Sequence, residues 1–280
     1  MSMNIVFPDS ISRRSRTVLL ALVSLCVLQW PAPGAAVEDP GSCAANLHRP
    51  FAHPGALGAE FEVLSWNIKK AGDSHWSEDL SRLAAASDLV FIQEASLQAG
   101  IPSALDRINA EAFAPGYRTS TLDTGVMTLS AGAPSLHCRF TAMEPWLGTP
   151  KATSVTEHVL DGRDYRLLAI NLHAVNFALG LKDFESQFAS IGTVLEQHNG
   201  PVVLAGDLNT WSASRQTLVD DFMSRYGLKA VHFEPDLRTR AFGYALDHVY
   251  IRGLSAKAAT VIPVESSDHN PLQVRLRLGT

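Results

Sequence analysis

Val202-Val203-Leu204-Ala205-Gly206-Asp207-Leu208-Asn209 is the stretch on which the reading of this chain turns. A short apolar, β-favouring run meets a glycine, and two polar side chains then follow one residue apart. If the chain stays extended, Asp207 and Asn209 project from the same side. A helix-like segment, Ser212–Tyr226, comes next, so a helix N-cap is the plainer explanation of the same pair. Working outward, the pattern recurs: Phe61–Leu64 leads to Trp66-Asn67, Leu89–Ile92 to Gln93-Glu94, and Leu167–Ile170 to Asn171-Leu172-His173. Phe242–Leu246 leads to Asp247-His248, and Ala258–Val264 to Ser267-Asp268-His269-Asn270-Pro271. Strand ends that converge on one sheet edge gather distant residues into one pocket. The gathered groups are carboxylates, imidazoles and amides, with no cysteine and no serine nucleophile motif. Hard oxygen ligands of this kind suit magnesium or manganese, and paired His and Asp suit proton transfer. The inventory points to metal-assisted hydrolysis of a phosphate ester.

In chain order, W-N, Q-E, N-L-H, G-D-L-N, L-D and S-D-H-N-P resemble the endonuclease/exonuclease/phosphatase superfamily, and within it the YafD-type bacterial branch. Its members include DNase I-like nucleases, apurinic-site endonucleases, inositol polyphosphate phosphatases and neutral sphingomyelinases. The likeness runs from about Phe61 to Leu278 and takes in Gly125–Ser130, His173–Phe177 and Arg240–Gly243. It implies a four-layer α/β sandwich: two mixed β-sheets packed face to face, helices outside, and the active site at one rim. It also implies Mg2+, with Mn2+ as the alternative, held by Glu94, Asn67 and Asp268. The catalytic set it implies is His173, Asp207, Asn209, Asp247 and His269. Asp247 would fix the tautomer of His269, and His173 would donate to a phosphate oxygen. Either Asp207 or His269 would act as the base in direct in-line attack by water. Asn176, Arg238 and Arg240 are the expected substrate contacts, the arginines because guanidinium binds phosphate bidentately. Lys69 stands where apurinic-site endonucleases carry a further acidic residue, which argues against a DNA-repair specificity.

Strands are expected over Phe61–Ile68, Leu89–Gln93, Gly125–Leu129, Ala152–His158, Tyr165–Leu172, Pro201–Gly206, Ala245–Ile251, Ala258–Val264 and Leu272–Leu278. Helices are expected over Ser77–Ala86, Pro102–Ala112, Leu181–His198 and Ser212–Tyr226. The third of these places Phe184, Phe188, Ile191 and Leu195 on one face at helical spacing, a core stripe. His158, His232 and His248 read as structural or surface histidines.

The first 36 residues read differently. Arg13, Arg14 and Arg16 precede a mostly apolar run, Thr17–Trp30, which gives way to Gly34-Ala35-Ala36 before Val37. That is the order of a cleaved secretory signal peptide, and the run is short for a membrane span; an N-terminal anchor is the competing reading. A periplasmic or secreted location is therefore expected. Residues 37–58, rich in Pro, Gly and Ala, read as a linker or loosely packed arm, and 59–280 as the catalytic domain. Beyond the leader, Cys43 and Cys138 form an even pair suited to a disulfide in an oxidising compartment. The formal net charge is −5, and removing the leader with its three arginines makes the chain more acidic still. That argues against a processive DNA binder, which needs a long basic face, but leaves local phosphate recognition open. Lys69, Lys70 and Lys151 are local positives. The expected substrate is nucleic acid, with a phospholipid or sphingomyelin head group as the alternative and a silent binding module of the same fold as a third. No stable protein partner is evident, and a monomer is expected.

Overall fold

The computed structural model describes residues 38–51, 55–145, 147–177 and 180–279. The expected signal peptide lies outside them. Strands β1 (Glu60–Asn67), β2 (Leu89–Ser96), β3 (Ala110–Arg118) and β4 (Asp123–Ser130) come first, followed by β5 (Leu136–Met143), β6 (Pro150–Val159) and β7 (Arg166–His173). Then come β8 (Val202–Asp207), the short β9 (Lys229–Ala230), β10 (Arg240–Ala241) and β11 (Tyr244–Ala245), and finally β12 (Asp247–Arg252), β13 (Leu254–Val261) and β14 (Leu272–Leu278). Helices α1 (Pro40–Ala45), α2 (Trp76–Ala84), α3 (Lys182–Leu195) and α4 (Ala213–Arg225) complete the set. One six-stranded sheet has the order β13-β14-β1-β2-β4-β3, the other β5-β6-β7-β8-β12-β9, and β10-β11 form a separate hairpin. Both sheets are mixed, since β1–β2 and β7–β8 run parallel while their other neighbours run antiparallel.

The side-chain alternation of the strands builds the layers. Phe61, Val63, Leu89 and Phe91 of the first sheet share an inter-sheet core with Leu167, Ala169, Val203, Ala205, Val249 and Ile251 of the second. The intervening residues Leu64, Trp66, Val90 and Ile92 face the other way, onto Leu80 and Leu83 of α2. Leu168, Ile170, Leu172, Val202 and Leu204 likewise face outward, onto Phe184, Phe188 and Ile191 of α3 and Val219 and Met223 of α4. The result is the four-layer α/β sandwich, with a helix-facing core on each side of a central one.

Three expectations need correction. Pro102–Ala112 is not a helix: a 3-10 turn covers Ile101–Ala104 and β3 begins at Ala110. Its alanines carry helical propensity, but Ala112 and Ala114 are buried against β4, and tertiary pairing overrides the local preference. Residues 37–58 are not a loose arm where they are described. Asp39 caps α1 by accepting from the Ser42 N–H, and Cys43, fully buried, is bridged to Cys138 of β5. Third, not every polar cluster leaves a strand. Asp247 opens β12, and Ser267–Pro271 leads into β14 after β13 has already ended at Val261. These strands run antiparallel to β8 and β1, so they start where their neighbours stop, and the clusters still meet at one rim.

Candidate active site

Asn67, Gln93, Asn171, His173, Asp207 and Asp247 occupy the alternation positions that, further down their strands, fill the inter-sheet core. At this rim the apolar layer gives way to polar groups. The register sets them side by side: Asn67 opposite Gln93, and Asp207 between His173 on β7 and Asp247 on β12. Gln93 donates across the sandwich to Asn171 Oδ1 at 2.8 Å, and Asn171 in turn donates to the Met127 carbonyl at 3.0 Å. These two buried amides of the Q-E and N-L-H motifs pin one sheet to the other just below the site.

Asp207 is the hub. Its Oδ2 accepts from Asn67 Nδ2 at 3.1 Å and lies 3.5 Å from His173 Nε2 and 3.9 Å from His269 Nε2. Its Oδ1 accepts from the Asn209 backbone N–H at 3.0 Å. Asn209 has a left-handed φ of 49°, a conformation Asn tolerates, and its side chain donates to the Ala174 carbonyl at 3.0 Å. His269 Nδ1 and Asp247 Oδ2 are 2.8 Å apart, and Trp66 Nε1 donates to the His269 carbonyl at 2.9 Å. Burial pushes the Asp207 carboxyl up to about 6, with Asp247 adding to the rise and His269 opposing it. Burial alone would lower His269, but Asp247 and then Asp207 outweigh it and hold the imidazolium up to about 10. His173 goes the other way: burial first, then Lys151, His269 and Lys70, hold it well below its ordinary value.

Glu94 sits in a bulge of β2, between Ile92 and Ala95, with φ 50°. Its carboxylate meets Lys70 Nζ at 2.9 Å. Lys70 belongs to a left-handed turn, Lys69–Ala71, that begins two residues after Asn67. Lys69 is raised by Asp73, then by Asp268 and Glu94, so the field of both carboxylates reaches its ammonium. Asp268 itself is exposed. Asn67 Oδ1 accepts from the Lys69 N–H at 3.0 Å.

A cleft of about 410 Å³ opens beside the hub. Lys70, Glu94, Lys151 and His173 face it, with Tyr117 and Phe177 forming aromatic walls. Asn176 also lines it, its Oδ1 accepting from Trp211 Nε1 at 2.9 Å. The arginines do not behave as expected. Arg238 grips Asp236 with both Nε (2.8 Å) and Nη2 (2.9 Å), and its Nη1 reaches the Asp247 carbonyl and His248 Nδ1, each at 3.2 Å. Arg240 is bound to the same Asp236 at 2.6 Å and to the Gly243 carbonyl at 2.9 Å. With an acidic partner two and four residues upstream, neither guanidinium offers a free fork; they brace the hairpin and the start of β12 instead. The expected donation by His173 is also redirected, because its Nε2 faces the Lys151 ammonium at 3.0 Å and the neutral ring accepts there.

Lys151 is therefore a site residue that sequence reasoning treated only as a local positive. Glu144 and Arg215 gave no signal at all. Glu144 accepts from the N–H groups of Asn176 and Phe177, and Arg215 donates to the carbonyls of Val175, Asn176 and Asn209. Together they fix the loops that carry His173, Asn176 and Asn209. An Arg in the first turn of a helix reads as solvent-facing, and only the fold shows it buried under Phe184 and Trp211.

Against this geometry, the profile of the endonuclease/exonuclease/phosphatase family matches residues 64–269, which spans every group just described. The chain belongs to that family. Family members are phosphoesterase hydrolases. Among its relatives is a UPF0294 protein of Vibrio vulnificus, 37% identical over 227 residues, covering 78% of this chain and 77% of the relative. Solved family structures share the fold. One from Leptotrichia buccalis superposes with a TM-score of 0.60 at 15% identity, covering 78% of this chain and all of the other. A mannosyl-6-phosphatase from Bacteroides thetaiotaomicron gives 0.58 at 17% identity, covering 77% and 99%.

Proposed function

We propose that the protein is an exported, magnesium-dependent phosphodiester hydrolase acting on nucleic acid. The observation that carries this reading is the hub: a buried Asp207 between His173, Asn67 and the His269–Asp247 pair, opening onto a cleft with two lysines. Asp247 on Nδ1 favours the charged ring, so His269 serves as the cation and proton donor facing the phosphoryl group. Asp207 is then the acceptor that orients water and takes its proton. Lys151 and Lys70 supply positive charge where a phosphate enters, in place of the two arginines. Asn209, locked to the Ala174 carbonyl, holds the Asp207 loop in register.

Asp207, Asp247 and His269 offer ligand atoms within 4.8 Å of one another. A metal ligand must be a neutral imidazole, however, and here Asp247 and Asp207 hold the His269 ring charged. The carboxylates of Glu94 and Asp268 with the amide oxygen of Asn67 fit a hard cation better: all are oxygen donors, and Glu94 already draws an ammonium to 2.9 Å. Bound there, magnesium would neutralise charge developing on the phosphoryl and leaving oxygens.

Tyr117 and Phe177, walling a cleft with cations inside, support a nucleic acid, whose bases stack on aromatic faces. One observation favours the phospholipid alternative: Phe242, at the tip of the β10–β11 hairpin beside Trp211, is 86% exposed. The Arg-led apolar stretch before Val37 supports export, and the Cys43–Cys138 bridge suits an oxidising compartment. The deciding experiment measures Mg2+-dependent release of product from plasmid DNA, RNA, sphingomyelin, phosphatidyl lipids and small phosphomonoesters, with His269→Ala as blank. Hydrolysis of DNA or RNA that the blank lacks is expected. Silence on every substrate, from folded protein without magnesium affinity, would sink the enzyme reading. N-terminal sequencing of recovered protein should find a start near Val37; an intact Met1 chain in the cytoplasm would overturn export.

A further inference from the structure

The second sheet carries another cluster at its opposite end. Lys151, in the cleft, and Glu157 lie on the same strand β6, six residues or roughly 20 Å apart. Glu157 is buried two positions beyond Val155 of the helix-facing core. Its Oε2 accepts from Ser135 Oγ at 2.7 Å and from Arg166 Nη1 at 3.3 Å, which fixes the carboxylate plane. Its Oε1 accepts from the His48 N–H at 2.9 Å and stands 3.2 Å from His48 Nδ1. His48 holds a left-handed φ of 60° in the segment that follows α1. The ring of His198, just beyond α3, lies 5.3 Å from the ring of His48, centroid to centroid.

His198 supplies a second, independent observation. It is 1% exposed, and its Nε2 is 3.1 Å from the Pro201 carbonyl, which places the proton on Nε2. Its Nδ1 is buried without a hydrogen-bond partner. A bare imidazole nitrogen, whose other nitrogen donates to a backbone carbonyl, is the arrangement found in metal-binding histidines. One nitrogen from each ring and a Glu157 oxygen all lie within 4.8 Å of one another. Two ligands about 2.0–2.1 Å from a tetrahedral ion stand roughly 3.3 Å apart, and the His48–Glu157 separation of 3.2 Å matches that.

We propose that His48, Glu157 and His198 form a zinc site. Two imidazoles and one carboxylate make a borderline donor set suited to Zn2+ rather than to Mg2+ or Ca2+. His48 also lines a surface cleft with Asp164, Asn199 and Arg252, which gives the site an entrance from solvent. The ion ties the N-terminal segment to the sheet through His48, as the disulfide does through Cys43, five residues earlier. Its role is structural, and it is separate from the chemistry at the far rim.

The test uses the oxidised full chain, stripped with a chelator and titrated with Zn2+ by calorimetry, with a parallel Co2+ titration followed by visible absorption. Four proteins are compared: wild type, His48→Ala, His269→Ala and the double variant. His48 is exposed enough, with 45% of its side chain accessible, for its alanine variant to fold. The wild type should show one tight equivalent that survives His269→Ala and weakens at least about 100-fold in His48→Ala, a larger loss than a supporting residue gives. Zn2+ should raise the melting temperature of the wild type and of His269→Ala but not of His48→Ala. Equal zinc affinity in the wild type and His48→Ala would overturn the site. So would a wild-type equivalent that disappears in His269→Ala alone. Failure of this test leaves the rim chemistry untouched, because magnesium-dependent turnover is measured separately.

Discussion

Glu94 and His269 belong to the same candidate site, but their proposed roles separate experimentally. Glu94→Gln keeps the side-chain size and removes the anionic ligand, so it should weaken magnesium affinity, with excess metal restoring part of the activity. His269→Ala should leave magnesium binding nearly intact while lowering kcat by on the order of 10²–10⁴. Metal titration and steady-state rates on the same two variants check both. Normal turnover in the histidine variant together with unchanged magnesium affinity in the glutamine variant would show the assignment to be wrong. Lys151→Met removes the ammonium that meets His173 Nε2, and should cost about 10²-fold in kcat/KM, the scale of losing one preorganised donor. An unchanged kcat/KM would mean that Lys151 only fills space.

At the scale of elements, the β7–β8 junction depends on a glycine. Gly206 has φ 147°, and a Cβ there would lie 1.9 Å from the Leu172 carbonyl oxygen. Gly206→Ala must push the two strands apart directly beside the His173–Asp207 pair. A loss of about 3 kcal/mol or more in denaturant melts is expected, together with loss of activity. A native-like melt would mean that the strands part cheaply. The G-D-L-N motif announced this junction because an apolar run, a glycine and a carboxylate are all local features. The same locality made the nine expected strands legible and hid the others. The β3 stretch is alanine-rich and half-buried, so its helical propensity misled, and β5 drew no expectation because its strand pairing with β6 is not written in its own periodicity. The site followed the same rule. Residues with a motif of their own, such as Asn67, Asp207 and His269, do come together at the rim. Lys151, Glu144 and Arg215 act only through partners far along the chain. Arg238 and Arg240 were expected to be open to substrate, but Asp236, close in sequence, pairs with both.

Across the whole molecule, buried and half-buried histidines make the fold sensitive to acid. Burial holds His248 down to about 3 and His137 to about 4, against an ordinary value of 6.5. Both are neutral in the folded state, so the unfolded chain binds more protons below pH 6.5. Their contribution to stability is complete above that pH and is eroded as the pH falls toward 4 and then 3. Each can add a slope of up to about 1.4 kcal/mol per pH unit. Denaturant midpoints should therefore begin to drop near pH 6, above the ordinary carboxylate range, with Asp207, raised to about 6, offsetting part of the drop by taking up a proton in the folded state; His137→Gln should flatten that slope. A flat profile down to pH 4.5 would contradict it. The rim itself has a further consequence. The groups proposed to work there run from Asn67 to His269 along the chain and come from both sheets, which meet only when the sandwich closes. A nascent or unfolded chain therefore does not assemble the proposed catalytic arrangement. If the protein is exported and crosses the membrane unfolded, the producing cell's own phosphate esters are safe from it during transit. On that proposal, hydrolysis begins only where the chain folds.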